Sequence, residues 1–384
     1  MNKKIIWAAY FSIMIFGMAM LSLGSVNNYL VQIQNLSQDA IAKNAILISS
    51  GILLGSLFFG PIVDRLGYKI ILTISTLFIG ISFFVISATS QIILQQTSFF
   101  IIGFAGGAIN GSTSALVSDV SETNKSANLS ILGVFYGIGA LGTPLLIGLL
   151  SRHFSIQSIL FSFSIVTLFP ILYALFVEFP EPKQKQGFPI VQGLSLFKNP
   201  LILLLGFFLF FQSGIEGITN NWTTSFLRET SDITPERALY ALSIVVVALT
   251  ISRLLLSGLL KKISSFTVLF CSLCLILTSC IILYLFHSQI AIFIGFSMLG
   301  FGFAAGFPVI LGLVGELYPS ISGTAFSVIL FIALVGNTAF NYFIGWMATS
   351  NMITYFPVVI GTSVILMLGL FLGILHQLKS RNVN

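Results

Sequence analysis

One carboxylate stands deep in an apolar run. Glu216 lies in "FFQSGIEGITNNWTTSFL", and the other ten acidic residues fall in polar breaks or near the ends of apolar segments. A charged side chain at mid-membrane costs about 2.5–3.5 kcal/mol even on insertion scales, so Glu216 has to face a partner or a cavity. Gln212, Glu216, Asn220 and Thr223 recur at helical spacing and make one polar stripe. Three chemistries are open to Glu216. It can carry a coupling proton, since loss of water disfavours the charged form of a carboxylate. It can accept hydrogen bonds from the hydroxyls of a solute. It can also be half of a structural pair. Trp222 is open to two readings, a platform for an apolar sugar face or an interfacial anchor near the end of its span.

Further polar residues lie within apolar runs. Asn110 and Ser114 are one turn apart, as are Asn337 and Asn341, and Tyr136 sits on a neighbouring run. Such groups either line a cavity or join helices. Arg253 is the second membrane-embedded charge. It can snorkel toward the cytoplasmic side or act as a gate with Glu316. Rise per residue puts Glu216 about 10 Å nearer the outside than Arg253, which disfavours a pair between them.

Three charges crowd into "GPIVDRLGYK", Gly60 to Lys69, in a chain that is 7% charged. The glycines Gly60 and Gly67 permit a sharp turn. Asp64 is placed to meet the positive N-terminus of a neighbouring helix, and Arg65 and Lys69 hold the loop in the cytoplasm. The stretch is either a conformational latch, built on Asp64, Arg65, Gly67 and Lys69, or a plain topology anchor.

The elements that carry these residues follow from composition. Of 384 residues, 56% are hydrophobic, and a soluble surface needs about 25% charged residues. Twelve apolar runs are long enough to span a bilayer: 5–31, 43–63, 70–90, 95–117, 128–150, 157–178, 200–227, 238–260, 266–286, 291–314, 321–347 and 354–377. The first is too long for the core of a signal peptide and is read as a span. With both termini inside, cytoplasmic segments hold twelve lysines and arginines and outer segments four, the positive-inside pattern. That bias accounts for the net charge of +6 without nucleic acid. Cys271 and Cys274 have CxxC spacing, but they lie in an apolar run with no second pair, so they are read as packing residues. Gly51 and Gly55, Gly133 and Gly137, Gly302 and Gly306, and Gly369 and Gly373 are four-residue steps read as packing surfaces, and Pro144 and Pro308 should bend their spans.

The longest break, Glu178 to Pro200, is rich in Pro, Gln and Lys and divides the chain in two. A shift of 197 residues superposes landmarks of the halves: Gly17 on Gly214, Gly103 on Gly300, Asp119 on Glu316, Gly139 on Gly336. One offset serving several span pairs indicates an internal repeat. The expected organisation is an N-terminal six-helix bundle (1–178), a cytoplasmic linker (179–199) and a C-terminal six-helix bundle (200–384).

Gly60, Asp64, Arg65, Gly67 and Lys69 resemble the signature of the major facilitator superfamily, with Tyr68 where a basic residue is common. "GSVNNYL", "FYGIGALGTPLL" and "GIEGITNNWTTSFL" are similar to fucose-permease-type sugar transporters. The resemblance implies an all-α membrane protein, with twelve helices in two pseudo-symmetric bundles and a central site reached alternately from each side. Those relatives carry acidic residues on spans 1 and 4, where Asn27 or Asn28 and Asn110 stand here, a departure from their proton-coupling scheme. The expected function is secondary transport of a small polar solute, a sugar in the first instance, coupled to a proton, with sodium as the other candidate ion. Two alternatives are a drug/proton antiporter and a transporter-like receptor that moves nothing. "GVFYGIGALGTP" is similar to the drug-antiporter motif, except that Thr143 separates glycine from proline. No enzymatic motif is present in the sequence, and no cofactor or metal is expected. The chain is expected as a monomer in a bacterial inner membrane, with the lipid bilayer as its solvent. A reporter fused to the C-terminus should be active only in the cytoplasm; a periplasmic reporter would reverse the assigned orientation.

Overall fold

In lipid, each backbone polar group has to bond within its own segment, and a long apolar segment does so as a helix. The computed structural model describes residues 3–34, 38–184, 189–231, 233–286 and 288–382. Among these it holds fifteen α-helices and no strand. They are α1 (Lys3–Gln34), α2 (Gln38–Leu66), α3 (Tyr68–Ala88), α4 (Ile92–Val120), α5 (Lys125–Leu150), α6 (Ile156–Val166), α7 (Leu168–Leu175) and α8 (Ile190–Leu196) in the first part of the chain. Then follow α9 (Pro200–Thr230), α10 (Pro235–Leu259), α11 (Ser265–Leu285), α12 (Gln289–Phe303), α13 (Gly306–Leu317), α14 (Ser322–Thr349) and α15 (Phe356–Asn382).

Among the described residues, twelve stretches are long and apolar enough to cross a membrane. Two of them are broken helices. α6 and α7 share one span and divide at Thr167, three residues before Pro170. α12 and α13 share another and divide at Ala304 and Ala305, just before Pro308. Proline lacks the amide that would continue the ladder. Pro144, by contrast, lies inside an unbroken α5. The linker contains the short helix α8, which sequence periodicity did not indicate. Leu77, Phe84, Ile281 and Leu366 are among many large apolar side chains left exposed, as a lipid-facing surface requires.

The repeat is exact at the starts of several helices. Shifted by 197 residues, the starts of α1, α3, α4 and α5 fall on the starts of α9, α11, α12 and α14 (3 and 200, 68 and 265, 92 and 289, 125 and 322). The landmark glycines are crossing points. A Cβ on Gly103 would overlap the Ile48 carbonyl, and one on Gly300 the Val245 carbonyl, positions related by the same shift. Gly139 against Met14 and Gly336 against Phe210 repeat the pattern at another crossing, with the partners one residue out of register. Gly51 and Gly55 meet the backbone of α4, whereas a Cβ on Gly369 would meet nothing and one on Gly373 would make ordinary contact with the Leu204 side chain.

The chain packs as two units. The first comprises Met1–Thr123, Leu132–Gly193 and Gly315–Ser327; the second comprises Asn124–Ile131, Leu194–Val314 and Val328–Asn384. The first unit therefore takes in the start of α14 from the second repeat, and the second unit takes in the start of α5.

Asp64 was expected in a loop. It lies instead in the last turn of α2, because α2 runs to Leu66 and α3 starts at Tyr68, leaving Gly67 as the whole connection. Gly67 has φ 86° and ψ 166°, a conformation open to glycine and costing other residues about 1–3 kcal/mol. Gly67→Ala should therefore lower the melting temperature in detergent, while Gly369→Ala should leave it unchanged; equal melting of the two variants would contradict the strain assigned to this turn.

Candidate functional site

Two polar clusters stand out, one in each unit. In the first unit, Asp64 is fully buried. Its Oδ1 accepts from the Gly323 amide at 3.2 Å, and its Oδ2 accepts from the Thr324 amide at 2.8 Å and from Thr324 Oγ1 at 2.6 Å. These amides belong to the first turn of α14, where backbone donors have no partner within the helix and the dipole is positive. Close approach makes the contact possible: a Cβ on Gly60 would overlap the Gly323 carbonyl and the Ser327 side chain. Arg65 Nη1 donates to the Gln184 carbonyl at 3.2 Å. Lys69 Nζ donates to the Leu175 carbonyl at 2.8 Å, at the C-terminal end of α7, where a cation is favoured.

In the second unit, the stripe on α9 runs from Gln212, 1% exposed, through part-buried Glu216 to exposed Asn220. Gln212 Nε2 donates to the Phe303 carbonyl at 3.1 Å, at the break between α12 and α13. It thus satisfies an acceptor that the broken ladder leaves open. Thr223 is buried, and its hydroxyl bonds back to the Thr219 carbonyl at 2.6 Å, so it does not extend the stripe.

Arg253 corrects an expectation. Its Nη2 lies 3.8 Å from Glu216 Oε1, with the two side chains 12% and 19% exposed. Counting rise along the helices locates Cα atoms, but a long arginine side chain spans the remaining depth. The proposed partner Glu316 is exposed and forms no ion pair with Arg253 among the described residues. The Glu216–Arg253 pair is loose. Glu216 Oε2 and Arg253 Nε are buried without a hydrogen-bond partner among the described residues. The carboxylate therefore keeps acceptor capacity for a proton or a donor from a ligand.

The asparagines of α14 dock on α9. Asn337 Nδ2 donates to the Ser213 carbonyl at 3.0 Å, and a Cβ on Gly217 would overlap the Asn337 side chain. Asn341 Oδ1 accepts from Asn221 Nδ2 at 2.8 Å and from Trp222 Nε1 at 3.2 Å, and Asn341 Nδ2 donates to the Asn337 carbonyl at 2.9 Å. Trp222 is thereby held by its indole N–H. Sequence reasoning missed Asn221 and Ser213; the Asn220–Asn221 doublet was the available signal, and a backbone carbonyl leaves none.

In the first unit, Ser114 Oγ bonds back to the Asn110 carbonyl at 2.8 Å, so this pair is linked along its own helix. Tyr136 is part-buried, with its ring 5.5 Å from that of Phe16. The side chains of Asn27 and Asn28 lie outside the described residues. The described residues hold no group of three metal-ligating side chains.

The family model described as Major Facilitator Superfamily matches residues 7–340. The Glucose/mannose transporter GlcP of Bacillus subtilis (strain 168) is 22% identical over 384 residues, covering 95% of this chain and 92% of that protein. The E. coli fucose:proton symporter FucP superposes with a TM-score of 0.80 at 14% identity, over 96% of this chain and 98% of FucP. The proton:xylose symporter XylE, bound to 6-bromo-6-deoxy-D-glucose, superposes with a TM-score of 0.77 at 16% identity, over 95% of this chain and 94% of XylE.

The ion pair in the second unit makes a stability prediction. Removing one partner of a buried pair strands the other charge, at a cost of about 3 kcal/mol. Arg253→Met should therefore lower the melting temperature more than the Arg253→Met/Glu216→Gln double variant does. Strictly additive losses in thermal melts would mean that the two charges do not interact.

Proposed function

This chain belongs to the major facilitator superfamily, and from that premise we propose that it is a secondary transporter that carries a sugar-like solute together with a proton. The observation that carries the reading is Glu216, a carboxylate within a span, loosely paired with Arg253 and with one oxygen unpartnered. A group so placed can be held charged by the arginine and can release it on taking a proton. Solute hydroxyls need fixed donors and acceptors. Asn220, Asn221, Trp222, Asn337 and Asn341 supply them on adjoining faces of α9 and α14, with Trp222 held as a platform for an apolar ring face. Relatives whose names give glucose and mannose, fucose, and xylose as cargo support the sugar class.

In this proposal the bundles 1–178 and 200–384 rock about the central site, joined by the linker 179–199. Asp64 of α2, bound to the first turn of α14, is the latch on the cytoplasmic side. Both termini face the cytoplasm, the chain acts as a monomer, and the membrane is a bacterial inner membrane.

The test is solute-induced proton movement in proteoliposomes carrying an external pH dye. Hexoses and pentoses should alkalinise the outside, and Glu216→Gln should abolish the signal. Solute entry without proton movement, or an undiminished signal in Glu216→Gln, would remove Glu216 from the coupling role.

A further inference from the structure

We propose that Lys183, in the linker, is a positioning residue of the cytoplasmic latch, supplying the cation that pairs with Asp119, which the turn between α2 and α3 meets only with the uncharged phenol of Tyr68. This deepens the transport reading, since the latch has a role only if the chain alternates between states.

The inference starts from Asp119, in the last turn of α4. The helix dipole is negative there, so a carboxylate needs a counter-charge. The residue that reaches it from the turn is Tyr68, the first residue of α3. Its phenol is 3% exposed and donates to Asp119 Oδ2. A phenol satisfies an acceptor but brings no charge. Lys183 brings it: Nζ lies 2.6 Å from Asp119 Oδ2.

The same ammonium also donates to the Pro319 carbonyl at 2.7 Å and to Ser322 Oγ. Ser322 is the first residue of α14, and its hydroxyl in turn donates to Asp119 Oδ2 at 3.0 Å. An ammonium has three donors. Here each has its own acceptor, one on α4, one in the connection before α14 and one on α14 itself. The turn that receives Asp64 is thus fixed a second time from the linker side.

The neighbours of Lys183 hold it in register. The Gln184 amide donates to the Asp64 carbonyl at 2.9 Å, and the Gln184 carbonyl accepts from Arg65 Nη1 at 3.2 Å. Pro182 packs beside Gly67, its Cγ 3.4 Å from where a Cβ would stand. The linker is therefore a strap across the turn between α2 and α3, carrying one lysine into the α4–α14 cluster. An exposed ion pair contributes little. This one has side chains 19% and 11% exposed and shares two further acceptors, so it is a network.

The test is hydrogen exchange of the protein in lipid nanodiscs without any solute, read on peptides covering 319–327. Because no solute is present, the result does not depend on the sugar or proton assignment. Lys183→Gln should speed exchange there at least fivefold while leaving α11 and α12 unchanged, and Lys183→Arg should stay near the parent rate. Asp119→Asn combined with Lys183→Gln should exchange no faster than the faster single variant. Unchanged exchange in Lys183→Gln, equal acceleration in α11 and α12, or fully additive acceleration in the double variant would overturn the proposal.

Discussion

A buried carboxylate receiving the first-turn amides of α14 is the contact on which the architecture around the turn between α2 and α3 depends. The chain has few charges, and a charge taken out of water needs a compensating partner. The turn between α2 and α3 meets that constraint by matching charges to backbone dipoles. Asp64 takes the positive end of α14, Lys69 takes the negative end of α7, and Arg65 takes a linker carbonyl. Asp64 and Lys69 are thus compensated by helix-end groups that would otherwise lack partners. The concentration of charge at this turn follows from the number of helix ends that converge on it.

The two repeats share a skeleton and divide the chemistry. Their helices start at equivalent residues and cross at equivalent glycines. The position equivalent to Asp64 is Lys261, exposed beside Lys262. A lysine would be repelled by a helix N-terminus, so the second repeat cannot build the same contact on α5. The ion pair is one-sided in the opposite sense. The positions equivalent to Glu216 and Arg253 are Ala19 and Ser56, both buried, with the Ser56 hydroxyl donating to the Gly107 carbonyl at 3.4 Å. In the proposed cycle, the first repeat contributes the latch and the second the coupling group.

Much of this was legible in the sequence. Apolar length located the twelve spans, and the 197-residue offset located the crossings, because only glycine fits where two backbones touch. Glu216 was legible because a carboxylate among apolar residues needs an explanation. Its partner was not, because axial rise says where a Cα lies and nothing about the reach of an arginine. The pairing of Asn341 with Trp222 was hidden for a related reason: each had a sufficient bland reading alone, and only the packing of α14 on α9 joins them. Lys183 was least legible. A lysine in a polar linker carries no periodicity, and its role arises from linker backbone that is itself bound to the turn.

The most direct test of the latch is Asp64→Asn, which keeps the shape of the side chain and its acceptor oxygen but removes the charge facing the α14 N-terminus. Solute flux in reconstituted vesicles would be compared with the amount of folded protein inserted. The account predicts normal insertion and at least a tenfold loss of flux. Wild-type flux at normal insertion would reduce this turn to a topology anchor.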